Sequence, residues 1–328
     1  MRLHSTYQLR RVGFNPRKWS FIFATALVAA LTTMSHAFEI TGSGGSITAL
    51  AFSPDGKTLA AADGSYDLTL RDATNGKPRG KLTGLVTNSN RVCWSPDGKT
   101  IYGTTGNDWI SWDVAALKEK QKIAAKMTRT APSAIALSSD GKTIAAVGRG
   151  LVKFWKTANG EVLAEYEVHP NYAINSVAFS PDGKSVVTTC NDRTAQVIEV
   201  ATGAGTTFTF DSRPTTAEFS ADGKTLYVVD QSPLLHSIKV ATNEDTTVPS
   251  LNRVPRQIAV SPDGRIVAFA GPTLRLWSIA ENRWSEKKPE NTAGTSAVAF
   301  SIDGKSVACG DIEGRIHVWP VEELLSAK

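Results

Sequence analysis

A short turn recurs along this chain and constrains its fold more than any other feature. Each copy begins with Ser, has Asp-Gly at its third and fourth positions, and is followed by Lys or Arg. The seven glycines are spaced 40 to 43 residues apart, and a period in this range indicates an array of one supersecondary unit. The copies are Ser53–Gly56, Ser95–Gly98, Ser138–Gly141, Ser180–Gly183, Ser220–Gly223, Ser261–Gly264 and Ser301–Gly304.

The composition of the turn predicts a β-hairpin. Pro, the second residue in four of the copies, presets φ, Asp caps the turn through its side chain, and Gly accepts the backbone angles that end it. Apolar runs such as Ile47–Phe52 and Thr58–Ala62 flank each turn. Two such runs joined by a tight turn form a hairpin.

Each repeat continues beyond its hairpin into a third strand, a polar turn and a fourth strand. Because seven repeats follow one another, the pattern predicts seven four-stranded sheets. A large apolar residue precedes each turn Ser, and we expect these side chains to pack between neighbouring sheets. They are Phe52, Trp94, Leu137, Phe179, Phe219, Val260 and Phe300.

The end of each third strand resembles the Trp-Asp position of the WD-repeat β-propeller family. The resemblance runs from about Phe38 to Trp319, and it implies an all-β, seven-bladed propeller of four-stranded antiparallel blades. Trp survives at four of these positions, and the literal Trp-Asp pair survives once. The pairs are Arg71-Asp72, Trp112-Asp113, Trp155-Lys156, Ile198-Glu199, Ile238-Lys239, Trp277-Ser278 and Trp319-Pro320.

The two ends of the repeat array predict how the ring closes. The seventh repeat supplies three strands before Pro320 and is followed by Val321–Leu325, which we expect to form a short helix or tail within a C-terminal segment 321–328. We therefore expect Phe38–Thr41 to be the outer strand of the last blade, closing the ring and covering its exposed edge. The propeller then spans 38–320.

The first 37 residues have the pattern of a secretory signal. Five basic residues and no acidic ones are followed by an apolar run from Trp19 to Leu31 and by small residues ahead of a cut after Ala37. Cleavage there predicts a periplasmic or secreted protein. The alternative is an uncleaved membrane anchor, but a spanning helix needs about 20 apolar residues and the run from Trp19 to Leu31 is shorter. Arg10-Arg11 leaves a twin-arginine signal as the minor alternative to the general export route.

Removing the leader makes the remaining chain electrically neutral. The full chain has 36 basic and 31 acidic residues, and the leader holds five of the basic ones, which leaves 31 of each. The sequence therefore gives no support to a nucleic-acid partner, and no membrane insertion is expected after cleavage.

The cysteines and histidines do not form a metal-binding or catalytic pattern. Cys93, Cys190 and Cys309 lie far apart without CxxC spacing, and we expect free, buried thiols. His236 and His317 occupy equivalent places in a column that we expect to be partly exposed. No shared metal site and no cofactor are predicted.

His169 and Asp192 belong to one repeat and match two positions that bond each other in the WD-repeat family. A catalytic pair is the alternative, but no nucleophile in a strained elbow accompanies them. We expect a structural hydrogen-bond pair, because buried polar groups must be satisfied.

Loops at one face of the predicted ring are rich in Arg and include Tyr, the types of side chain that anchor protein interfaces. We take them as candidate partner-binding residues, against the alternative of a solvated rim. They are Arg91, Tyr172, Asn191, Arg193, Arg213, Arg253 and Arg256.

These features favour a non-catalytic, monomeric protein-interaction or scaffolding module with protein partners. The alternative is a periplasmic propeller enzyme, lactonase-like or another hydrolase, and a structural subunit of an envelope complex is a third hypothesis. Propeller enzymes gather polar or metal-binding side chains at the central channel, often on inserted loops. The repeat spacings here vary by no more than three residues, which leaves no room for a catalytic insertion.

Overall fold

The computed structural model of the protein describes residues 37–40, 45–66, 68–85, 91–127, 131–248, 253–285 and 294–326. They fall in one compact unit that begins at Ala37. Strands β1 to β28 of this part form seven four-stranded antiparallel sheets. The predicted all-β, seven-bladed architecture is confirmed.

Blades 1 to 6 each use four consecutive strands, ordered from the innermost to the outermost. Blades 1 to 3 are β2 Ile47–Phe52, β3 Thr58–Asp63, β4 Leu68–Asp72, β5 Pro78–Leu82; β6 Val92–Trp94, β7 Thr100–Thr105, β8 Asp108–Asp113, β9 Lys118–Ala124; and β10 Ala134–Leu137, β11 Thr143–Val147, β12 Leu151–Lys156, β13 Val162–Glu167. Blades 4 to 6 are β14 Ile174–Phe179, β15 Ser185–Cys190, β16 Thr194–Glu199, β17 Gly205–Thr209; β18 Pro214–Phe219, β19 Thr225–Asp230, β20 Leu235–Lys239, β21 Asp245–Val248; and β22 Gln257–Val260, β23 Ile266–Ala270, β24 Arg275–Ser278, β25 Arg283–Trp284.

Blade 7 joins the two ends of the chain. It consists of β26 Thr295–Phe300, β27 Ser306–Asp311, β28 Ile316–Pro320 and, on the outside, β1 Phe38–Ile40. Strand β1 pairs antiparallel with β28, with Phe38 opposite Val318. The predicted closure by the N-terminal strand is confirmed, while its last residue, Thr41, lies outside the described residues.

The innermost strands form a closed circuit. Each lies against the innermost strands of its two neighbours, and β26 of blade 7 returns to β2 of blade 1. This arrangement buries both faces of a sheet, so the second strands β3, β7, β19 and β27 are buried along their whole length. Side chains from adjacent blades meet as expected, for example Phe154 and Phe179 with ring centroids 6.4 Å apart.

Each repeated turn is held by the same set of hydrogen bonds. In the first copy, the Ser53 hydroxyl donates to the Asp55 carboxylate at 2.5 Å, and the Lys57 amide donates to the same oxygen at 3.0 Å. The Thr58 amide donates to Ser53 Oγ at 2.9 Å. Bonds from Ser53 and Lys57 stabilise the ionised carboxylate and lower the pKa of Asp55, although partial burial opposes them. The other six copies repeat these contacts.

The turns also contact one another around the ring. Gly141 has φ +71°, and a Cβ placed on it would lie 2.5 Å from Pro96 Cδ of the preceding blade's turn. Glycine is therefore required both for its left-handed backbone and for the close approach. The first turn meets the seventh in the same way, because Ile302 is the nearest neighbour of Gly56.

The segment after Pro320 forms the short helix α1, Val321–Leu325. Val321 and Leu324 are buried in a cluster with Leu276 of blade 6 and Trp319 of blade 7. The sequence predicted either a short helix or a tail for these residues, and the structure shows a helix. No helix in the described part of the chain has the length and apolar character of a membrane span.

Candidate functional site

The two ends of the blades carry different loops. The seven Ser-x-Asp-Gly turns join first to second strands at one end, which we call the turn face. The opposite end, the loop face, carries the connections into each first strand and those between second and third strands. All of the candidate partner-binding residues from the sequence lie at the loop face or in the channel beneath it.

Five of those candidates are exposed at the loop face. Tyr172, with 51% of its surface accessible, precedes blade 4. Arg193 follows the second strand of the same blade and has φ +68°. Arg213, Arg253 and Arg256 are exposed ahead of blades 5 and 6. The structure therefore places four arginines and a tyrosine on the open surface of blades 4 to 6.

Arg91 differs from these five because it enters the central channel. Its Nη1 lies 2.8 Å from Glu218 Oε1. The two residues are 127 positions apart in the sequence, and their ion pair joins blade 2 to blade 5. Burial lowers the pKa of Arg91, but the Glu218 carboxylate outweighs it, so the net direction is upward. Arg91 is therefore part of an ion pair in the channel wall, which sequence reasoning on loops did not anticipate.

Asn191 is half-buried and takes part in a contact between blades. Its Oδ1 accepts a hydrogen bond from Asn175 Nδ2 at 3.1 Å, and the same Nδ2 donates to the Pro214 carbonyl of blade 5 at 2.9 Å. These contacts hold the loop of blade 4 against blade 5.

His169 lies in a buried polar network at the loop face of blade 4. Its Nδ1 is 2.8 Å from Asp192 Oδ2, and its Nε2 is 2.9 Å from Thr188 Oγ1. The Thr194 hydroxyl donates to Asp192 Oδ1 at 2.6 Å. Burial lowers the pKa of His169 and outweighs the opposing effect of Asp192, so the ring stays neutral near pH 7. The network therefore ties the connection before β14 to strands β15 and β16 of the same blade.

Cys190 lies beside this network. His169, Cys190 and Asp192 each offer one ligand atom, and these three atoms lie within 4.8 Å of one another. This spacing could hold a metal ion. Both ring nitrogens of His169 are already hydrogen-bonded, and burial raises the pKa of Cys190 to about 12, which keeps it a thiol. His169 and Asp192 are therefore held by their own hydrogen bonds, and the Cys190 thiol donates to the Ala173 carbonyl at 3.2 Å. The position of Cys190 in the sequence gave no signal of this proximity.

His236 and His317 are buried, so the expectation of a partly exposed column is wrong at these two positions. His236 is 8% exposed and His317 is 4% exposed. His236 packs edge-on against Phe210 of the neighbouring blade and bonds Asp245 at 2.7 Å. His317 stacks on Trp319. A ring of the neighbouring blade covers His236, and Trp319 of its own strand covers His317, contacts that a comparison of repeats alone could not show.

The central channel contains two cavities of about 310 Å³ each. Arg91 and Gln257 line both, so they mark the boundary between an upper cavity at the loop face and a lower cavity toward the turn face. The Arg91–Glu218 ion pair lies at this depth. Other upper-cavity lining residues are Ser46, Ile47, Thr48, Ala134, Asn175, Ser176, Thr215, Thr216, Arg256 and Ser296.

A polar column at the channel mouth was not recognised from the sequence. Every repeat has a polar residue five positions before its turn Ser, and the strand register shifts there in blades 1, 4, 5 and 7. Ser133, Asn175 and Ser296 in this column donate to backbone carbonyls of the next blade, at Ile174, Pro214 and Ile47. The constant polar position in the repeats was the signal that could have revealed these links between blades.

Two family models match the chain. The SMP-30/gluconolactonase/LRE-like region matches residues 105–272, about half of the chain. The WD domain, G-beta repeat, matches residues 34–71. Both matches lie largely within the repeated blades described above.

Several curated proteins are also similar in sequence. An uncharacterized WD repeat-containing protein of Synechocystis sp. is 29% identical over 46% of this chain and 43% of its own length. Autophagy-related protein 16 of Arabidopsis thaliana is 24% identical over 85% of this chain and 48% of its own length. Small ribosomal subunit protein RACK1y of Oryza sativa is 24% identical over 52% of this chain and 41% of its own. The chain thus spans less than half the length of each of these relatives.

Proposed function

We propose that this chain, which belongs to the WD-repeat β-propellers and, over about half its length, to the SMP-30/gluconolactonase/LRE-like region family, is a non-catalytic module that binds a protein partner through its loop face. WD-repeat propellers generally bind protein partners. The exposed arginines and Tyr172 at the loop face are the observation that supports this function most directly. Such side chains are enriched among the residues that dominate binding energy at protein interfaces.

The structural role of the buried polar groups supports binding rather than catalysis. His169, Asp192 and Thr188 satisfy one another within blade 4, and Glu218 is paired with Arg91 in the channel. A general base needs a carboxylate or imidazole within reach of substrate and free to accept a proton. The Glu218 carboxylate already accepts a hydrogen bond from Arg91 at 2.8 Å.

The test is affinity capture of the partner from the protein's own envelope fraction. The tagged protein is compared with the double variant Arg213→Ala/Arg256→Ala and with a control, Lys142→Ala/Arg265→Ala, which removes the same charge at the turn face. We expect the loop-face variant to lose a partner that the control retains. Equal capture by both variants would exclude the loop face.

A lactonase-like hydrolase is the second candidate, favoured by the match over residues 105–272. Its catalytic groups would have to line the channel, where Glu218 is the one carboxylate among the described lining residues. We expect no hydrolysis of a panel of lactones and small esters, with or without added divalent cations. Turnover that the Glu218→Gln variant abolishes would overturn the non-catalytic assignment.

We further propose that the protein is exported by a cleaved signal and acts outside the cytoplasm as a monomer without nucleic-acid partners. The charge and apolar pattern of residues 1–37 and the neutral remainder support this. Mass spectrometry of the purified protein should find an N-terminus at Phe38. A protein that keeps residues 1–37 would contradict cleavage.

A further inference from the structure

We propose that the upper cavity binds a carboxylate side chain from an acidic, extended segment of a partner protein. This inference rests on the function proposed above, since it names the chemistry that the loop face recognises. The cavity opens at the loop face, holds about 310 Å³, and is lined by side chains from several blades.

The charge at the channel mouth favours an anion. Two arginines and no acidic residue are found among the described side chains that line the upper cavity. Arg91 is neutralised by Glu218, which leaves the charge of Arg256 uncompensated within the cavity. Arg213 and Arg253 add positive charge at the exposed rim. A basic segment would be repelled here, whereas a carboxylate would be attracted.

Arg256 differs from the described members of the polar column whose side chains bond to backbone carbonyls. Ser133, Asn175 and Ser296 bond to the next blade from equivalent positions. Arg256 is exposed, lines the cavity, and its guanidinium has no hydrogen-bond or ion-pair partner among the residues that the structure describes. A guanidinium in this position can donate two parallel hydrogen bonds to one carboxylate.

Thr216 gives a second, independent indication of a ligand. It is 3% exposed and lines the upper cavity, and its Oγ1 finds no hydrogen-bond partner within the described residues. Buried hydroxyl groups in folded proteins are nearly always hydrogen-bonded. A carboxylate oxygen that reached the floor of the cavity would accept this hydrogen bond.

The size of the cavity limits what can enter. Its volume lies at the low end of the roughly 300–1,000 Å³ of small-ligand pockets, and an α-helix is about 10 Å across with its side chains. A whole helix therefore does not fit, but one Asp or Glu side chain from an extended segment does. The rest of the segment would lie across the rim, beside Arg213 and Arg253.

The experiment uses fluorescence anisotropy with labelled Gly/Ser peptides that carry central glutamates. Matched peptides carry glutamine or lysine at the same positions. We expect the glutamate peptide to bind more weakly as salt is raised, and the glutamine and lysine peptides not to bind. Free acetate and inorganic phosphate, added as competitors, separate recognition of the anion from recognition of the peptide.

Two variants distinguish a built site from general charge attraction. Arg256→Ala should weaken binding of the glutamate peptide about tenfold or more, since a hydrogen bond to a charged group is lost. Arg265→Ala removes the same charge at the turn face and should leave binding unchanged. Thr216→Val keeps the charge and nearly the shape, so it should weaken binding several-fold without lowering Tm.

Several outcomes would overturn the carboxylate site. These are equal binding of the glutamate and glutamine peptides, an unchanged affinity in Arg256→Ala, or an unchanged affinity in Thr216→Val. If such a result accompanies loss of the native partner in Arg213→Ala/Arg256→Ala, the loop-face function stands and the carboxylate site fails. If the glutamate peptide binds as expected but no partner is captured, the carboxylate site stands and the wider function fails.

Discussion

The turn face and the loop face are built by the same strands, yet they differ in how their side chains are used. At the turn face, Ser, Asp and the following amide bond each other in every blade, and each glycine contacts the turn before it. At the loop face, the contents change from blade to blade: His169 is buried in a network, Arg91 crosses the channel, and Arg256 is exposed. The repeated end stabilises the ring, and the variable end is available for binding.

Closure of the ring should have the largest effect, because both faces depend on it. Deleting Phe38–Ile40 removes β1, which exposes the edge of β28 and removes the buried side chain of Ile40. We therefore expect Tm to fall by about 10 °C or more. Thermal unfolding followed by circular dichroism measures this. The Glu39→Ala variant keeps the backbone pairing and should melt within a few degrees of the parent. An unchanged melt after the deletion would show that β1 does not close the ring.

The His169 network should contribute more to stability than a turn of the same blade does. His169→Ala removes hydrogen bonds to Asp192 and Thr188 and leaves a cavity, which should cost about 3 kcal/mol of unfolding free energy in urea titrations. The turn-face change Asp182→Asn in the same blade should cost only about 1 kcal/mol. Equal costs would remove this distinction between the faces.

The same network should make stability depend on pH. The pKa of His169 is lowered on folding by burial, so its contribution is fully present above the ordinary value of 6.5 and is lost as pH falls below it. The turn aspartates, whose pKa values are lowered from 3.8 mainly by the Ser hydroxyl in copies such as Asp182, lose their contribution only at more acidic pH. Urea titrations across pH 7 to 3 should show the first loss in the parent protein but not in His169→Ala.

Single glycines test the contacts between turns. Gly141→Ala puts a side chain at φ +71° and against Pro96, and should cost about 2 kcal/mol. Gly64 at the loop face does not have positive φ, and a Cβ there would lie 3.6 Å from its nearest neighbours. Gly64→Ala should therefore be close to neutral in the same urea titration. A neutral Gly141→Ala would mean that the turns do not support each other.

The smallest expected effect is on stability at the binding surface. Arg213→Ala and Arg256→Ala should each change the free energy of unfolding by less than about 0.5 kcal/mol, because both side chains are exposed and outside the core. Urea titration measures the change. A large loss would show that these arginines are structural rather than available to a partner.

The fold could be predicted because its determinants are local and repeated. Ser53, Asp55 and Gly56 define a turn through bonds within five residues, and the period extends this to every blade. The N-terminal strand was predictable because the seventh repeat lacked a fourth strand. The packing of α1 was not, since burial of Leu324 depends on the surface left by blades 6 and 7.

The candidate site was less predictable because its contacts join distant parts of the chain. Arg91 and Glu218 lie in different repeats at different positions, so no local pattern links them. Its position in a loop suggested that Arg91 would be exposed, whereas its side chain lies in the channel and pairs with the Glu218 carboxylate. The burial of His236 likewise depends on Phe210 of the neighbouring blade.

The pairing of β1 with β28 also sets an order of assembly. The two strands stand at opposite ends of the propeller sequence, so a chain delivered from its N-terminus presents β1 first and its partner last. Six sheets can form from neighbouring strands while Phe38–Ile40 has nothing to pair with. Strand β1 therefore emerges first but pairs last, and until β28 is available its unpaired edge could pair with another chain.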